Sequence, residues 1–306
     1  MQIEREPAGD VVGDDGLVDV ITPFAVQPAL AATPGIEFQS SPATFYEHLD
    51  FNVGPGTKPL LGEQWFRQAV AYALDRDGAT AAVAQATDSP DHGVLQSLTH
   101  FSQHPDYKED FDRYSYDPER VSRIMRRHDC TLGGDGIWSC NGTRASIRFA
   151  TTTNNLVRGT IQSHLQAGAQ TAGIELVTDN SSPPILFGQR LPARDFDAVL
   201  FTFITGGDGF GLDPLFACDG PSNFMGYCSE PVTRLLQEAN EESSEGKRRS
   251  LVHRAGAILA EDAASIPILQ RPRFLYLRAR LHGIEDNPSL LQGVTWNAEE
   301  WWVAEE

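Results

Sequence analysis

The segment DFDAVLFTFITGGDGFGLDPLFACDGPSNFMGYCSE (195–230) joins an apolar run, a glycine-rich loop and a turn bracketed by two cysteines. Residues 196–204 are rich in β-branched and aromatic side chains, which predicts a buried strand. The strand empties into the polar loop 205–211, whose glycines expose backbone amides and whose only acid is Asp208. Binding groups concentrate on loops held by rigid strands. Behind the loop, Cys218 and Cys228 bracket Asn223, Phe224 and Tyr227, a polar and aromatic mixture suited to a small molecule. The same residues also fit an ordinary strand, turn and surface loop.

Upstream, ASIRFAT (145–151) alternates as a strand, a helix follows from about 155 to 172, and GIELVT (173–178) reads as the next strand. This strand–helix–strand order is a βαβ unit, so the expected class is α/β with a right-handed crossover. The loop 179–193, with three prolines, leads into the strand at 196. Further upstream, FYEHLDFNV (45–53) reads as a strand and residues 22–44 as loop, with VDVI (18–21) resembling a short strand. EQWFRQAVAYALDRDGA (63–79) carries Trp65, Phe66, Ala69, Val70, Ala73 and Leu74 on one helical stripe. Arg67, Asp75 and Arg76 fall off that stripe and read as solvated charge or a structural ion pair. Asp117 and Pro118 begin a helix as cap and first residue. Downstream, Ser229 caps one helix and a second helix follows the charged break EESSEGKRR. SIPILQ (265–270) and RFLYLRAR (273–280) read as two short strands, and Trp296, Trp301 and Trp302 anchor the tail.

Acidic residues outnumber basic ones by 42 to 24, for a formal charge of -18. That balance opposes nucleic acid and anionic membrane as partners. No apolar run approaches the ~18 residues of a membrane span. Cys130/Cys140 and Cys218/Cys228 are each ten positions apart, too far for zinc-knuckle spacing, so two local disulfides are expected. Disulfides belong to oxidising compartments. The start, MQIEREPAGD, has no basic and apolar leader pattern, so a beginning that is missing is expected.

Catalytic signatures are absent: there is no G-x-S-x-G, H-E-x-x-H or strand-borne G-x-G-x-x-G. His92, His100 and His104 read as surface histidines, and neither a metal nor a cofactor is expected. A glycine-rich loop at the carboxyl end of a strand in an open α/β sheet is a favoured ligand position. Binding without chemistry is therefore the better reading, with an enzyme the less favoured one.

Several segments together resemble the family 5 extracellular solute-binding proteins, the peptide/nickel/opine type that serves ABC importers. FRQAVAYALDRD (66–77), YDPERVSRIMR (116–126), AGIELV (172–177) and DFDAVLFTF (195–203) resemble its helices and paired strands. LDPLF (212–216), NFMGYCSEPVTRLLQEAN (223–240) and KRRSLVHRAGAILAEDAASIPI (247–268) continue the pattern in order. The resemblance implies a two-lobed, type II periplasmic-binding-protein-like α/β fold. Here it would be mainly the carboxy-terminal lobe (45–270), with 1–44 and 271–306 as remnants of lobe I and hinges near Asn52 and Gln270. It implies an extracytoplasmic protein that captures oligopeptides or similar solutes and delivers them to a membrane permease; a truncated, inactive piece of such a protein is the alternative. Nickel complexes, opines and oligosaccharides stay open as ligands. A loop acid holds the peptide amino terminus in peptide-binding members, which nominates Asp208, with Phe203, Thr205, Gly206, Asn223 and Tyr227 lining the cleft. Asp213, followed by Pro214, is expected to be structural. Phe201 and Phe203 stand where the family often has tryptophan, and the loop before LDP is longer than usual.

Overall fold

The computed structural model describes residues 3–4, 20–21, 28–91, 93–205, 207–285, 287 and 293–304. Gly206 and His92 lie outside the described residues. Five strands carry the main sheet: β1 (Ile36–Phe51), β2 (Ser146–Ala150), β3 (Glu175–Thr178), β4 (Ala198–Ile204) and β5 (Ser265–Arg278). They lie in the order β5-β1-β4-β2-β3, and the short pieces Val20–Ile21 and Ile3–Glu4 extend the sheet beyond β5. β2 is parallel to both β3 and β4, whereas β1 is antiparallel to β4 and to β5. The expected βαβ unit is therefore present, joined edgewise to an antiparallel ribbon.

Helices α1 (Gln64–Ala73), α2 (Arg76–Thr87), α3 (Pro118–Arg127), α4 (Leu156–Thr171), α5 (Glu230–Glu241) and α6 (Glu245–Asp262) pack around the sheet. Asp117 and Asn155 cap α3 and α4 through the N–H groups of Arg120 and Arg158. The apolar stripe of α1 is buried as its spacing requires. The single helix expected across 63–79 is broken, because Leu74 is extended and Asp75 starts a new helix by accepting from Gly78 N–H. Arg67 and Arg76 are not solvated. Arg76 donates to the carbonyls of Pro267, Phe111 and Tyr114, and Arg67 to those of Leu61, Gly62 and Asp262, so both act as buried clamps. No helix among the described residues is long and apolar enough to cross a membrane.

Two stretches read as loop are ordered differently. Residues 36–44 extend β1, because β5 supplies a hydrogen-bonding partner from Ser265↔Asp50 to Arg278↔Ile36. The proline-rich 183–193 forms short helical turns. The two strands expected at 265–280 are one, β5, with register slips between Pro267 and Leu269 and between Gln270 and Pro272.

Gln270 pairs with Tyr46, whereas Asn52 lies past the end of β1 and donates its N–H to Asp197 O at 2.8 Å. The two nominated positions are thus not neighbours, and the residue facing the slip is Tyr46 or one before it. Most buried apolar side chains form one core around 46–74, 95–269 and their helices. Beyond the slip, β5 alternates: Phe274 and Tyr276 pack with Leu30, while Leu275 and Leu277 pack with Val20, Leu281 and Val294.

Both cysteine pairs form disulfides, Cys130–Cys140 and Cys218–Cys228. The first links directly opposed residues of a hairpin (Cys130–Leu132 with Trp138–Cys140). Trp138 of that hairpin donates to Ala172 O at 3.0 Å, against Gly173. The second closes the loop that contains Asn223.

Candidate ligand-binding site

Strand β4 presents its two faces to different environments because side chains alternate along it. Phe201 and Phe203 point to one side, where Phe203 stacks on His48 with ring centroids 4.1 Å apart. Thr202 and Ile204 point to the other. Ile204 is 64% exposed and Phe203 only 6%, so the open surface at the end of β4 belongs to Ile204. Phe203, expected to line a cleft, is a core residue.

The loop after β4 is held by its own chain. His100 bridges Asp208 as an antiparallel pair, and Phe101 N–H donates to Gly207 O at 3.2 Å. Gly207 and Gly209 both have positive φ, and each sits where a Cβ would collide: with Phe101 at 207 and with His100 Nε2 at 209. These glycines therefore admit the segment 100–101 to the loop backbone. Thr205 Oγ1 accepts from Gly207 N–H at 3.2 Å, and Asp208 Oδ1 accepts from Phe210 N–H at 3.1 Å. Both are local turn bonds. Asp208 is exposed, and the side-chain hydrogen bond it makes among the described residues engages Oδ1.

Asn223 and Tyr227 are committed to internal contacts. Asn223 Nδ2 donates to the carbonyls of Ala217 (2.8 Å) and Tyr227 (2.6 Å), and its Oδ1 accepts from Tyr227 N–H at 3.1 Å. The Tyr227 hydroxyl donates to Asp262 at 2.5 Å; burial and that hydrogen bond raise its pKa. Both side chains are buried and held by internal hydrogen bonds. Asp213 accepts from Asn240 at 2.8 Å, a structural contact.

On the Ile204 side of the sheet lies a cluster that the sequence reading does not single out. Glu47, fully buried on β1, is cross-strand partner to Thr202 and faces two guanidiniums. Arg158 Nε lies 3.2 and 3.1 Å from its carboxylate oxygens, and Arg271 Nε lies 3.6 Å away. Arg158 also donates to Thr152 (2.9 Å) and Thr202 (2.7 Å), and Thr202 donates to Glu47 at 2.6 Å. Burial alone would raise the Glu47 pKa, but Arg158, Arg271 and the Thr202 hydroxyl together hold it below the ordinary value. Burial lowers the pKa of Arg271 against the pull of Glu47. Glu47 thus stands between two buried guanidiniums. Half-exposed Phe187, with the Arg158 guanidinium 5.9 Å from its ring, stands beside it. A charged residue inside the alternation of FYEHLDF was the available signal.

A second pocket flanks the loop, lined by His100, His104, Asp106, Asp208, Phe210, Glu245, Arg248 and Arg249 among others. His100 is buried, and burial together with His104 and His253 lowers its pKa to about 4. It is not a surface histidine, because the pairing of 100–101 with 207–208 covers it.

Comparisons with known proteins agree on the fold. The chain is 25% identical over 254 residues to the oligopeptide-binding protein OppA of Mycobacterium tuberculosis (82% of this chain, 42% of that protein). It is 25% identical over 236 residues to the probable di/tripeptide-binding protein 5 of Pseudomonas aeruginosa (75% and 42%). It thus spans less than half the length of the curated relatives it matches. Among solved structures, the oligopeptide-binding protein AppA of Bacillus subtilis, in complex with a nonapeptide, superposes with a TM-score of 0.78 at 21% identity. That match covers 95% of this chain and 57% of AppA, and gives this chain a type II periplasmic-binding-protein fold. Residues 12–223, more than half of the chain, match the family described as bacterial extracellular solute-binding proteins, family 5 Middle. The chain belongs to the family 5 extracellular solute-binding proteins.

Proposed function

We propose that this chain supplies one wall of a solute-binding cleft whose ligand is an oligopeptide, delivered to an ABC-type permease outside the cytoplasm. The observation that carries the reading is Asp208: an exposed carboxylate on a loop fixed by backbone pairing. Such a group accepts a charge-assisted hydrogen bond from a peptide ammonium without first having to be ordered. Thr205, on the same loop, accepts from Gly207 N–H, two residues further on. Exposed Ile204 and Phe187 offer apolar contact. Both curated relatives carry peptide-binding names, which supports the peptide class over chelates and sugars. The disulfides support an oxidising location.

The lobes are proposed to meet where β5 slips register, near Gln270–Pro272 and the facing residues of β1 up to Tyr46. Closure about a few strand-terminal residues is the usual hinge motion of such folds. Residues 45–270 would then move as one lobe, and 1–44 with 271–306 would belong to the other.

Calorimetric titration with a mixed peptide library tests the reading. Free-amine peptides should bind, N-acetylated ones should bind about tenfold or more weakly, and Asp208→Asn should remove that difference, as expected for loss of a hydrogen bond to a charged group. Binding of a metal chelate or an oligosaccharide with no response to any peptide would refute the peptide assignment.

A further inference from the structure

We propose that His100, His104 and Asp106 form a binding site for a divalent transition-metal ion, at the flank of the loop that carries Asp208. The candidate donor atoms of the three residues all lie within 4.8 Å of one another. A metal ion with bonds of about 2.0–2.2 Å to nitrogen and oxygen needs its donors roughly 3–4 Å apart. The present spacing is therefore within a side-chain adjustment of closure. Two imidazoles and a carboxylate select zinc, nickel, cobalt or copper over calcium and magnesium, which prefer all-oxygen sets.

His100 is the built part of the site. Its ring is 3% exposed, and Thr99 Oγ1 lies 3.0 Å from Nδ1. Thr99 is itself buried and also contacts Ser97 at 3.1 Å, so the ring is oriented from behind. An outer partner on one imidazole nitrogen is what fixes a metal-ligating histidine and its tautomer. The other nitrogen, Nε2, has no hydrogen-bond partner among the described residues and lies beside Gly209, where a Cβ would come to 2.8 Å of it.

His104 and Asp106 are half-exposed and complete the set from the same loop. His104 Nδ1 accepts from Asp106 N–H at 3.1 Å, so an entering ion displaces that bond or turns the ring. Arg249 holds Asp106 Oδ1 at 3.1 Å and is the competing cation. His253 Nε2 donates to the Asp106 carbonyl at 2.8 Å, which keeps the loop in place without using the carboxylate. Three acids, Asp106, Asp208 and Glu245, face two arginines, Arg248 and Arg249, across a cavity of 330 Å³. That is room for the waters that fill the remaining coordination positions. Because Asp208 lines the same cavity, an ion here would sit in the field of the loop's acid.

The site does not depend on the ligand being a peptide, so it is tested on its own. The chelator-treated chain is titrated with zinc and with nickel in competition with a chromophoric chelator, and its cobalt spectrum is recorded. One ion per chain is expected, with cobalt absorption showing nitrogen donors. His104→Ala and Asp106→Ala should each weaken binding more than tenfold, Thr99→Val about tenfold as for an outer-sphere partner, and His164→Ala not at all. The half-exposed positions of His104 and Asp106 allow their variants to fold, which circular dichroism checks. Absence of a stoichiometric ion, or affinity that survives both variants, would overturn the proposal.

Discussion

A Cβ on Gly207 would lie 1.9 Å from Cδ2 of Phe101, at a backbone φ of +67°. The loop after β4 and the segment 100–101 are therefore packed backbone to ring, and the loop's shape depends on that approach. Gly207→Ala should destabilise the chain by about 2–4 kcal/mol, adding left-handed strain to overpacking. Phe101→Ala in the same chain should recover part of the loss. Urea unfolding of the two single variants and the double variant measures the coupling; strictly additive effects would show that the contact does not limit the loop.

Glu47 compensates two buried guanidiniums. Glu47→Gln should cost about 3–5 kcal/mol, the range for breaking a buried ion pair from one side. The pH dependence has a definite sign. The folded-state pKa lies below the ordinary 4.5, so the unfolded chain takes up this proton first. The contribution is complete above pH 4.5 and is lost as pH falls through the folded value. Unfolding curves from neutral to acid pH should thus fall less steeply for E47Q than for the parent.

Asn223 separates a structural role from a binding one. Asn223→Ala removes three hydrogen bonds from a buried loop and should cost about 2–4 kcal/mol of stability. Ligand affinity of the folded variant should change less than twofold, about 0.4 kcal/mol. A large affinity loss at unchanged stability would return Asn223 to the cleft.

All four cysteines are paired. Intact mass under non-reducing conditions should be lighter by the hydrogens of two disulfides than after reduction. Opening either loop should lower stability by about 2–3 kcal/mol, read as a drop in Tm for the Cys130/Cys140 and Cys218/Cys228 double alanine variants.

What the sequence discloses here is local. Asp117 and Asn155 announce their helices through side-chain caps, and the alternation at 198–204 announces β4, because those signals act within a few residues. Residues 36–44 have no such signal. They become strand only because β5, far along the chain, pairs with them. The same distance hides His100, whose burial arises from contact with 207–208. The burial of Phe203 is hidden for a simpler reason: the period of two assigns it and Ile204 to opposite faces, but does not say which face is open. Asn223 and Tyr227 have the composition of a binding surface, yet their geometry closes them on each other.

The position of β1 has a consequence for biosynthesis. Its two sheet neighbours are β4, which begins at Ala198, and β5, which begins at Ser265. At ribosomal rates of roughly 5–20 residues per second, β1 waits on the order of ten seconds or more before either edge is covered. During that interval a long strand bearing Tyr46, Leu49 and Phe51 offers two open edges to any other extended segment. Holding factors that bind extended, apolar chain should therefore recognise the nascent protein chiefly through residues 36–51, and release it only once β5 has emerged.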